Sequence, residues 1–348
     1  MKNLTRREFL SSSFNIIRGA FCFLLFGAIV KKSNANQGLK MNKEFVPSYL
    51  KLHESGELKK RGEELWQMMK KCNICPRKCG AKRLKGEEGF CHASSTLEIS
   101  SFNPHFGEEK PLVGTGGSGT IFLTNCSLRC VFCINSHISH LGEGRESSVD
   151  DMAAMMINLQ EKGCHNINFV TPTHYLPHIL LAVDKAAEKG LSLPLVYNTC
   201  GWENMEALKL LDGIIDIYLP DFKYSDRAMS SKYSAGASSY PKVVKKALIE
   251  MNRQVGAAKP DSDGLIRRGL MIRHLVMPNN VGGTQEIVEW IADNLGKDTY
   301  LNIMSQYQPF YKAKDNPDIN RRITAKEYAL AVKWAKDVGL NNLDIQGN

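Results

Sequence analysis

GTIFLTNCSLRCVFC, residues 119–133, joins a β-rich run to three cysteines, Cys126, Cys130 and Cys133, set within eight positions. The first six residues read as a strand, and the thiols follow where that strand ends. Tetrahedral zinc takes four ligands and a cubic iron–sulfur cluster has four irons, so three thiols leave one metal position open.

Downstream the chain alternates between two patterns. SSVDDMAAMMINLQEKG has apolar residues at helical spacing and closes on Gly163, a natural C-cap. NINFV (166–170) reads as a second strand and YLPHILLAVDKAAEKG as a second helix. PLVYNT (194–199) precedes ENMEALKLLDG, and IIDIYLPDFK precedes a helix at about 241–256. LMIRHLVM (270–277) leads to TQEIVEWIADNLG, and YLNIMSQY to TAKEYALAVKWAKDVG, where Thr324 and Glu327 have capping-box spacing. Six βα units with right-handed crossovers predict an α/β fold, a partial (β/α)6 TIM-like barrel over 111–348. An open doubly wound sheet is the other arrangement this pattern allows.

In βα barrels the chemistry sits where strands end and the next loops begin. Those ends are, in order, Cys126–Cys133, Thr171-Pro172-Thr173-His174, Asn198-Thr199, Asp221 with Lys223, Arg273-His274 through Pro278, and Gln306-Tyr307. Nearly all are polar or metal-binding, which a sheet built only for packing does not require.

The 348 residues are 43% hydrophobic and 23% charged, an ordinary globular composition. The formal charge is +9, but residues 1–35 hold six Lys/Arg against one acidic residue. The small remainder calls for no nucleic-acid partner. Within that leader Arg6-Arg7 precedes the apolar run GAFCFLLFGAIV and then KKSNANQ, with Ser33-Asn34-Ala35 as a small-residue cleavage site. The pattern resembles a twin-arginine export signal and points to the periplasm. The other reading is a basic amphipathic leader that stays in the cytoplasm, where the chemistry argued below is supplied. Twelve apolar residues are too few for a stable transmembrane span.

Of ten cysteines, Cys22 lies in the leader, and Cys164 and Cys200 read as small buried apolar residues. Seven remain, an odd number that disulfides cannot absorb among themselves. Four of them, Cys72, Cys75, Cys79 and Cys91, fall in a Cys-rich N-terminal extension, residues 36–110, with Gly80, Gly86 and Gly89 allowing tight turns. Four thiols match structural zinc or a second iron–sulfur cluster; disulfides are the alternative outside the cytoplasm. PLVGTGGSG (111–119) is glycine-rich but lacks the Walker lysine and runs into a strand, so it reads as a flexible approach to the barrel.

Cys126-x3-Cys130-x2-Cys133 after a first strand, with Phe132 before the last thiol, resembles the signature of the radical S-adenosylmethionine (SAM) superfamily. A zinc knuckle completed by a residue such as His137 is the rival reading. Over about residues 70–345 the chain is similar to uncharacterised relatives of pyruvate formate-lyase-activating enzyme. The similarity runs through CNICPRKCGAKRLKGEEGFC, NFVTPTHYLP, YLPDFKY, RHLVMPN and NIMSQYQP. The resemblance implies a [4Fe-4S] cluster on Cys126, Cys130 and Cys133, whose open iron is chelated by the methionine moiety of SAM. It further implies an electron donor such as flavodoxin or ferredoxin, reductive cleavage of the S–C5′ bond, and hydrogen abstraction by the 5′-deoxyadenosyl radical. The target would be a protein, with glycyl-radical formation on a partner enzyme one form of the reaction.

One departure stands out. Enzymes of that type carry Gly-Gly-Glu after the second strand, for the methionine amino group, where this chain has Thr171-Pro172-Thr173-His174. No carboxylate is present there, so the resemblance leaves carbonyls near Thr171 and the Thr173 hydroxyl as acceptors. Asp221 and Lys223 match an Asp-x-Lys of the activating enzymes and would bracket the methionine or ribose; a surface ion pair is the plain alternative. Asn198 and Thr199 stand at polar cofactor- or substrate-facing positions, with Gly201 permitting close approach. His274 reads equally as a core or a functional residue.

Three classes of function compete. The first is a radical SAM enzyme, acting on a protein or on a small molecule. A two-cluster electron-transfer protein would use full sets of four ligands, and a zinc-stabilised binding module would not need six polar strand ends.

Overall fold

The strand predicted at 119–124 is the first of seven parallel strands that follow one another across a sheet. A computed structural model describes residues 45–345; the leader, with Arg6, Arg7 and Cys22, lies outside the described residues. The strands are β1 Leu97–His105, β2 Ser118–Leu123, β3 Arg145–Ser147, β4 Ile167–Val170, β5 Leu195–Thr199, β6 Ile217–Pro220, β7 Gly269–Leu275, β8 Tyr300–Met304 and β9 Leu343–Ile345. Their spatial order is β3-β1-β2-β4-β5-β6-β7-β8-β9. From β2 to β9 every neighbour is parallel, whereas β1 runs antiparallel to both β2 and β3. From β2 to β9 the parallel strands follow in chain order without a reversal, which excludes the doubly wound alternative, since that fold needs a switch point. All six predicted βα units are present, and β3 and β9 form the two edges of a partial barrel.

The helices form where their caps and apolar stripes predict. Thr324 and Glu327 make the capping box that opens Ala325–Asp337. Ser148 and Asp151 make another at the start of Val149–Glu161, which ends two residues before Gly163, at φ 82°. In Leu176–Glu188 the buried Leu176, Ile179, Leu180, Val183 and Ala186 make one apolar stripe. It packs against helix Glu57–Gln67, where a Cβ on Gly62 would come within 3.0 Å of the Leu181 side chain.

The sheet has two unlike faces. Leu195, Tyr197, Tyr218, Leu270, Ile272 and Leu301 join the large core beneath the helices, while Val196, Ile217, Leu219, Met271 and Tyr300 form a second cluster with Leu112, Ala258 and Ile266. Because side chains alternate along a strand, this second cluster marks the inner face of the barrel. The same parity carries Asn198, Asp221, Arg273 and Asn302 to that inner face, one step beyond the apolar layer. Leu112 belongs to the connection between β1 and β2, so this segment reaches into the barrel from its lower end.

Residues 111–119 are held firmly rather than loosely. His165 Nε2 accepts from the backbone N–H groups of Thr115 (3.1 Å) and Gly116 (2.9 Å). A Cβ on Gly116 would lie 2.0 Å from the Gly163 carbonyl, so glycine here serves close chain approach and not a phosphate.

Candidate functional site

The cysteine loop begins as β2 ends and turns through two left-handed residues, Asn125 (φ 68°) and Arg129 (φ 55°). The Val131 N–H donates to the Tyr233 carbonyl (2.9 Å), which ties the loop to the C-terminal end of helix Arg227–Tyr233. Ser234 Oγ lies 3.1 Å from Cys130 Sγ, and Ser139 Oγ lies 3.1 Å from Cys133 Sγ. Burial pushes the Cys130 thiol up to about 12, with Lys223 pulling against it, and burial raises Cys126 as well. Metal binding would reverse this, because a coordinated thiol gives up its proton.

Among the described residues no three Cys, His, Asp or Glu side chains close round a point as they would round one ion. In a cubic cluster each thiolate takes a separate iron, so the sulfurs stand further apart than around a single metal. Three thiols on one short loop, with a cation and two hydroxyls beside them, suit that donor chemistry.

Facing the loop are the predicted strand-end residues. Lys223 Nζ donates to Asp221 Oδ2 (2.8 Å), and Arg273 Nε donates to Asp221 Oδ1 (3.1 Å). Arg273 also donates to Asn198 Oδ1 (2.5 Å) and lies 3.5 Å from Glu108 Oε2, while Asn198 Nδ2 donates to Glu108 Oε1 (3.3 Å). Burial works to raise the Asp221 carboxyl, but Arg273 and Lys223 outweigh it and hold it below the usual range. Burial likewise opposes the Lys223 charge, yet Asp221 and the Cys130 sulfur raise its pKa. Asp221 and Lys223 are therefore a recessed pair, 13% and 16% exposed, and not a solvated surface pair.

Tyr240 fixes this corner. Its hydroxyl accepts from the Lys223 N–H (2.9 Å) and stands 2.9 and 2.8 Å from the carbonyls of Cys200 and Asp221. Gly201, at φ 74°, lets the chain pass: a Cβ there would meet the Asp221 carbonyl at 2.5 Å. Cys200 is half-buried beside these groups, and burial holds its thiol well above the ordinary value.

The carboxylate absent from residues 171–174 arrives from elsewhere. Thr173 Oγ1 donates to Glu203 Oε1 (2.8 Å), Thr199 Oγ1 donates to the same oxygen, and the Tyr197 hydroxyl donates to Oε2 (3.2 Å). Burial pushes Glu203 up to about 7 against those three donors. The Thr173 hydroxyl proton is thus committed to Glu203, leaving its lone pairs as acceptors. Thr171 is left-handed at φ 59°, unusual for a β-branched residue, and its N–H donates to the Asn198 carbonyl (3.0 Å). His174 donates to the Thr124 carbonyl (2.7 Å), and burial lowers it to about 3, so it stays neutral. His274 is a satisfied core histidine, held by the Phe222 carbonyl (2.7 Å) and the Thr284 hydroxyl (2.8 Å). The Tyr307 hydroxyl donates to the Ile319 carbonyl (2.8 Å).

Cys72, Cys75 and Cys91 are buried and Cys79 is exposed. A Cβ on Gly89 would sit 3.4 Å from the sulfurs of both Cys79 and Cys91, so the glycine keeps the space between them clear. Arg83, fully buried, reaches Cys72 Sγ at 4.0 Å and donates to the carbonyls of Ser94 and His174. Arg77, in the interval between Cys75 and Cys79, donates to the carbonyls of Ser127 (3.0 Å), Leu128 (3.4 Å), Ser234 (3.2 Å) and Ala235 (2.7 Å). Its guanidinium also stacks on Phe90 and Trp202. One side chain of the upstream set therefore grips the loop that carries the other set. Nothing in the local pattern singles out Arg77 or Glu203, because each acts on residues remote in sequence or on the next strand end.

A family model described as the Radical SAM superfamily matches residues 120–250. An uncharacterized protein of Methanocaldococcus jannaschii is 31% identical over 284 residues, 79% of this chain and 77% of that protein. Among solved structures, a radical SAM methyltransferase from Sphaerobacter thermophilus aligns at 12% identity over 66% of each chain, with a TM-score of 0.43. SuiB of Streptococcus suis, bound to S-adenosylmethionine, aligns at 13% identity over 64% of this chain and 48% of its own, with a TM-score of 0.44. The chain thus spans about half to two thirds of the solved chains. The superfamily match starts on β2 and takes in the three-cysteine loop, and the 31% identity extends over most of the chain: the protein belongs to the radical SAM superfamily.

Proposed function

We propose that the chain binds a [4Fe-4S] cluster through Cys126, Cys130 and Cys133 and binds SAM against Asp221, Lys223, Asn198, Thr171 and Thr173. With an electron from a donor such as flavodoxin or ferredoxin, that pair supplies a 5′-deoxyadenosyl radical for hydrogen abstraction. The observation that carries the reading is the Lys223–Asp221–Arg273 chain, recessed in the barrel mouth with Lys223 acting on the Cys130 sulfur.

The residues of the chain bind, orient and shield. Lys223 and Asp221 present opposite charges to a zwitterionic methionine moiety, and Tyr240 fixes the backbone that carries both. Thr173, backed by Glu203, offers oxygen lone pairs to the ammonium in place of the missing Gly-Gly-Glu. The barrel wall keeps water from the reacting centre. Cys72, Cys75, Cys79 and Cys91 hold a second iron–sulfur cluster or zinc; the cleared space at Gly89 and the Arg83 charge support a thiolate site.

Formation of a glycyl radical on a partner enzyme rests on motif resemblance. The charged inner face, closed below by residues 106–117, favours a small molecule. Iron and sulfide analysis of anaerobically purified protein, followed by a 5′-deoxyadenosine assay with dithionite, tests the reading. Cluster-loaded protein that forms no 5′-deoxyadenosine refutes it. We further propose that the leader exports the protein after it has folded round its metal. Fractionation of cells carrying R6K/R7K should find the variant retained, and identical distributions of variant and wild type would overturn export.

A further inference from the structure

Glu108 and Glu109 enter the barrel from below, on the connection that also supplies Leu112 to the inner apolar cluster. With Asp221 they place three carboxylates on one inner surface, against the two cations Arg273 and Lys223. Both cations are already committed to Asp221, at 3.1 and 2.8 Å. Glu108 receives a 3.5 Å approach from Arg273, an amide from Asn198 at 3.3 Å and the side chain of Asn168, none of them a dedicated cation. Glu109 Oε1 accepts from Asn302 Nδ2 (2.9 Å), and its Oε2 has no donor.

Two more oxygens on that face lack donors, Asn302 Oδ1 and Asn168 Oδ1. All three residues are more than nine-tenths buried, at 6%, 3% and 0% exposure. The other unpartnered buried atoms among the described residues are nitrogens of Arg129, His174 and His178, which are not on this surface. Surplus negative charge and orphaned acceptors, with no orphaned donor beside them, describe half of a complex. The missing half is a cation with several N–H groups. No third carboxylate, His or Cys closes with the pair, so the set is too poor for a divalent ion. The way in is from above: Glu108, Asp221, Lys223 and Arg273 stay 10–16% exposed although all four are recessed.

We propose that the inner face of the barrel takes a small-molecule substrate by a protonated amino group, received by Glu108 and Glu109 with the Asn168 and Asn302 oxygens. The site deepens the radical SAM reading and rests on it only for the chemistry that follows binding. Arg273 spans Glu108 and Asp221, so an amine seated on Glu108 lies one guanidinium away from the proposed SAM residues. Until it arrives a proton takes its place: burial, with Glu109 and Asp221 adding to it and Arg273 opposing, pushes Glu108 up to about 7. Asn168 and Asn198 are its uncharged neighbours. Binding near neutral pH transfers that proton from Glu108 to the buffer.

Calorimetry on the cluster-loaded, SAM-bound full chain tests this without any turnover. The probes are 1,4-diaminobutane and n-butylammonium, with 1,4-butanediol as the neutral isostere. Both amines should bind and the diol should not, with heats that differ between phosphate and Tris because a proton is released. E108Q and E109Q, with iron content unchanged, should each weaken the diamine about tenfold or more, as loss of a charge-assisted contact requires. Diol binding equal to diamine binding, no heat from either amine, or unaltered affinity in both variants would overturn the site and leave its oxygens to structural water. Should the variants fail to fold, the amine-to-diol comparison and the buffer dependence in wild type still decide it. A failure here with 5′-deoxyadenosine still formed would strike the amine site and spare the radical chemistry.

Discussion

The two cysteine sets sit in one compact unit and are built in opposite ways. Cys126, Cys130 and Cys133 occupy one short loop at a strand end, with hydroxyls on two sulfurs and a recessed ion pair opposite. Cys72, Cys75, Cys79 and Cys91 are spread over twenty residues, where Arg83 and the bare Cα of Gly89 give them charge and space. One set has three thiols and faces the recessed Asp221–Lys223 pair; the other has four, three of them buried and Cys79 exposed. An incomplete ligand set leaves room for a reactant, and a complete one holds structure.

The sharpest way to break that contrast is to remove one thiol from each set. Cys130→Ala should abolish 5′-deoxyadenosine formation, a loss of about a hundredfold or more, since a second iron loses its ligand. Cys75→Ala should lower thermal stability while leaving measurable SAM cleavage in protein that keeps the loop cluster. Equal and complete loss in both would erase the distinction between site and post.

Arg77 joins the two sets, and its removal has the next largest effect. Arg77→Ala leaves four carbonyls without their donor and two rings without their cation, a cost of about 2–4 kcal/mol. Arg77→Lys should not restore it, because an ammonium cannot span those carbonyls in a plane. A urea midpoint indistinguishable from wild type would show the sets to be independent.

Smaller effects are expected within the mouth. Asp221→Asn and Lys223→Met should each weaken SAM by about 1–3 kcal/mol, read by equilibrium binding at unchanged iron content. Unaltered affinity in both would return the pair to a structural role. The least effect belongs to Glu203. Its folded pKa of about 7 lies above the ordinary carboxyl value, so the folded chain holds a proton that the unfolded chain has lost. Stability should therefore fall as pH rises from the ordinary carboxyl value to about 7, and Glu203→Gln should flatten that slope in urea melts. A slope unchanged in the variant would assign the pH dependence to Glu108 and Asp216, which burial also raises.

The parts of this architecture that local pattern determines were legible. β5 and β8 are buried along their whole length, as parallel strands covered on both faces must be, and they stand out as apolar runs. The Thr324–Glu327 box is a local device and appeared where its spacing placed it. β1 escaped notice because an antiparallel strand near the sheet edge need not be covered on both faces, and in LEISSFNPH only Leu97 and Ile99 are fully buried. Glu108-Glu109 within FGEEK reads as a solvated turn, and only the topology carries it into the barrel. Arg77 and Glu203 owe their roles to partners on other elements, which periodicity does not encode.

The hydrogen bond between Glu109 and Asn302 joins residues 193 positions apart. On a ribosome adding about 5–20 residues per second, roughly 10–40 s separate the emergence of the two. Meanwhile β4, β5, β6 and β7 each appear beside a neighbour already made, so the wall can accrete in the order of synthesis. The acid pair gains its Asn302 partner only when β8 docks. Until then the inner face is a hydrated trough, and the cysteine loop, complete by residue 133, stands at its open rim. If the loop holds the proposed cluster, delivery of iron and sulfide during translation would have a natural interval, which closes as β8 docks. Stalling synthesis before Tyr300 should leave chains that accept a cluster yet keep Glu109 in water.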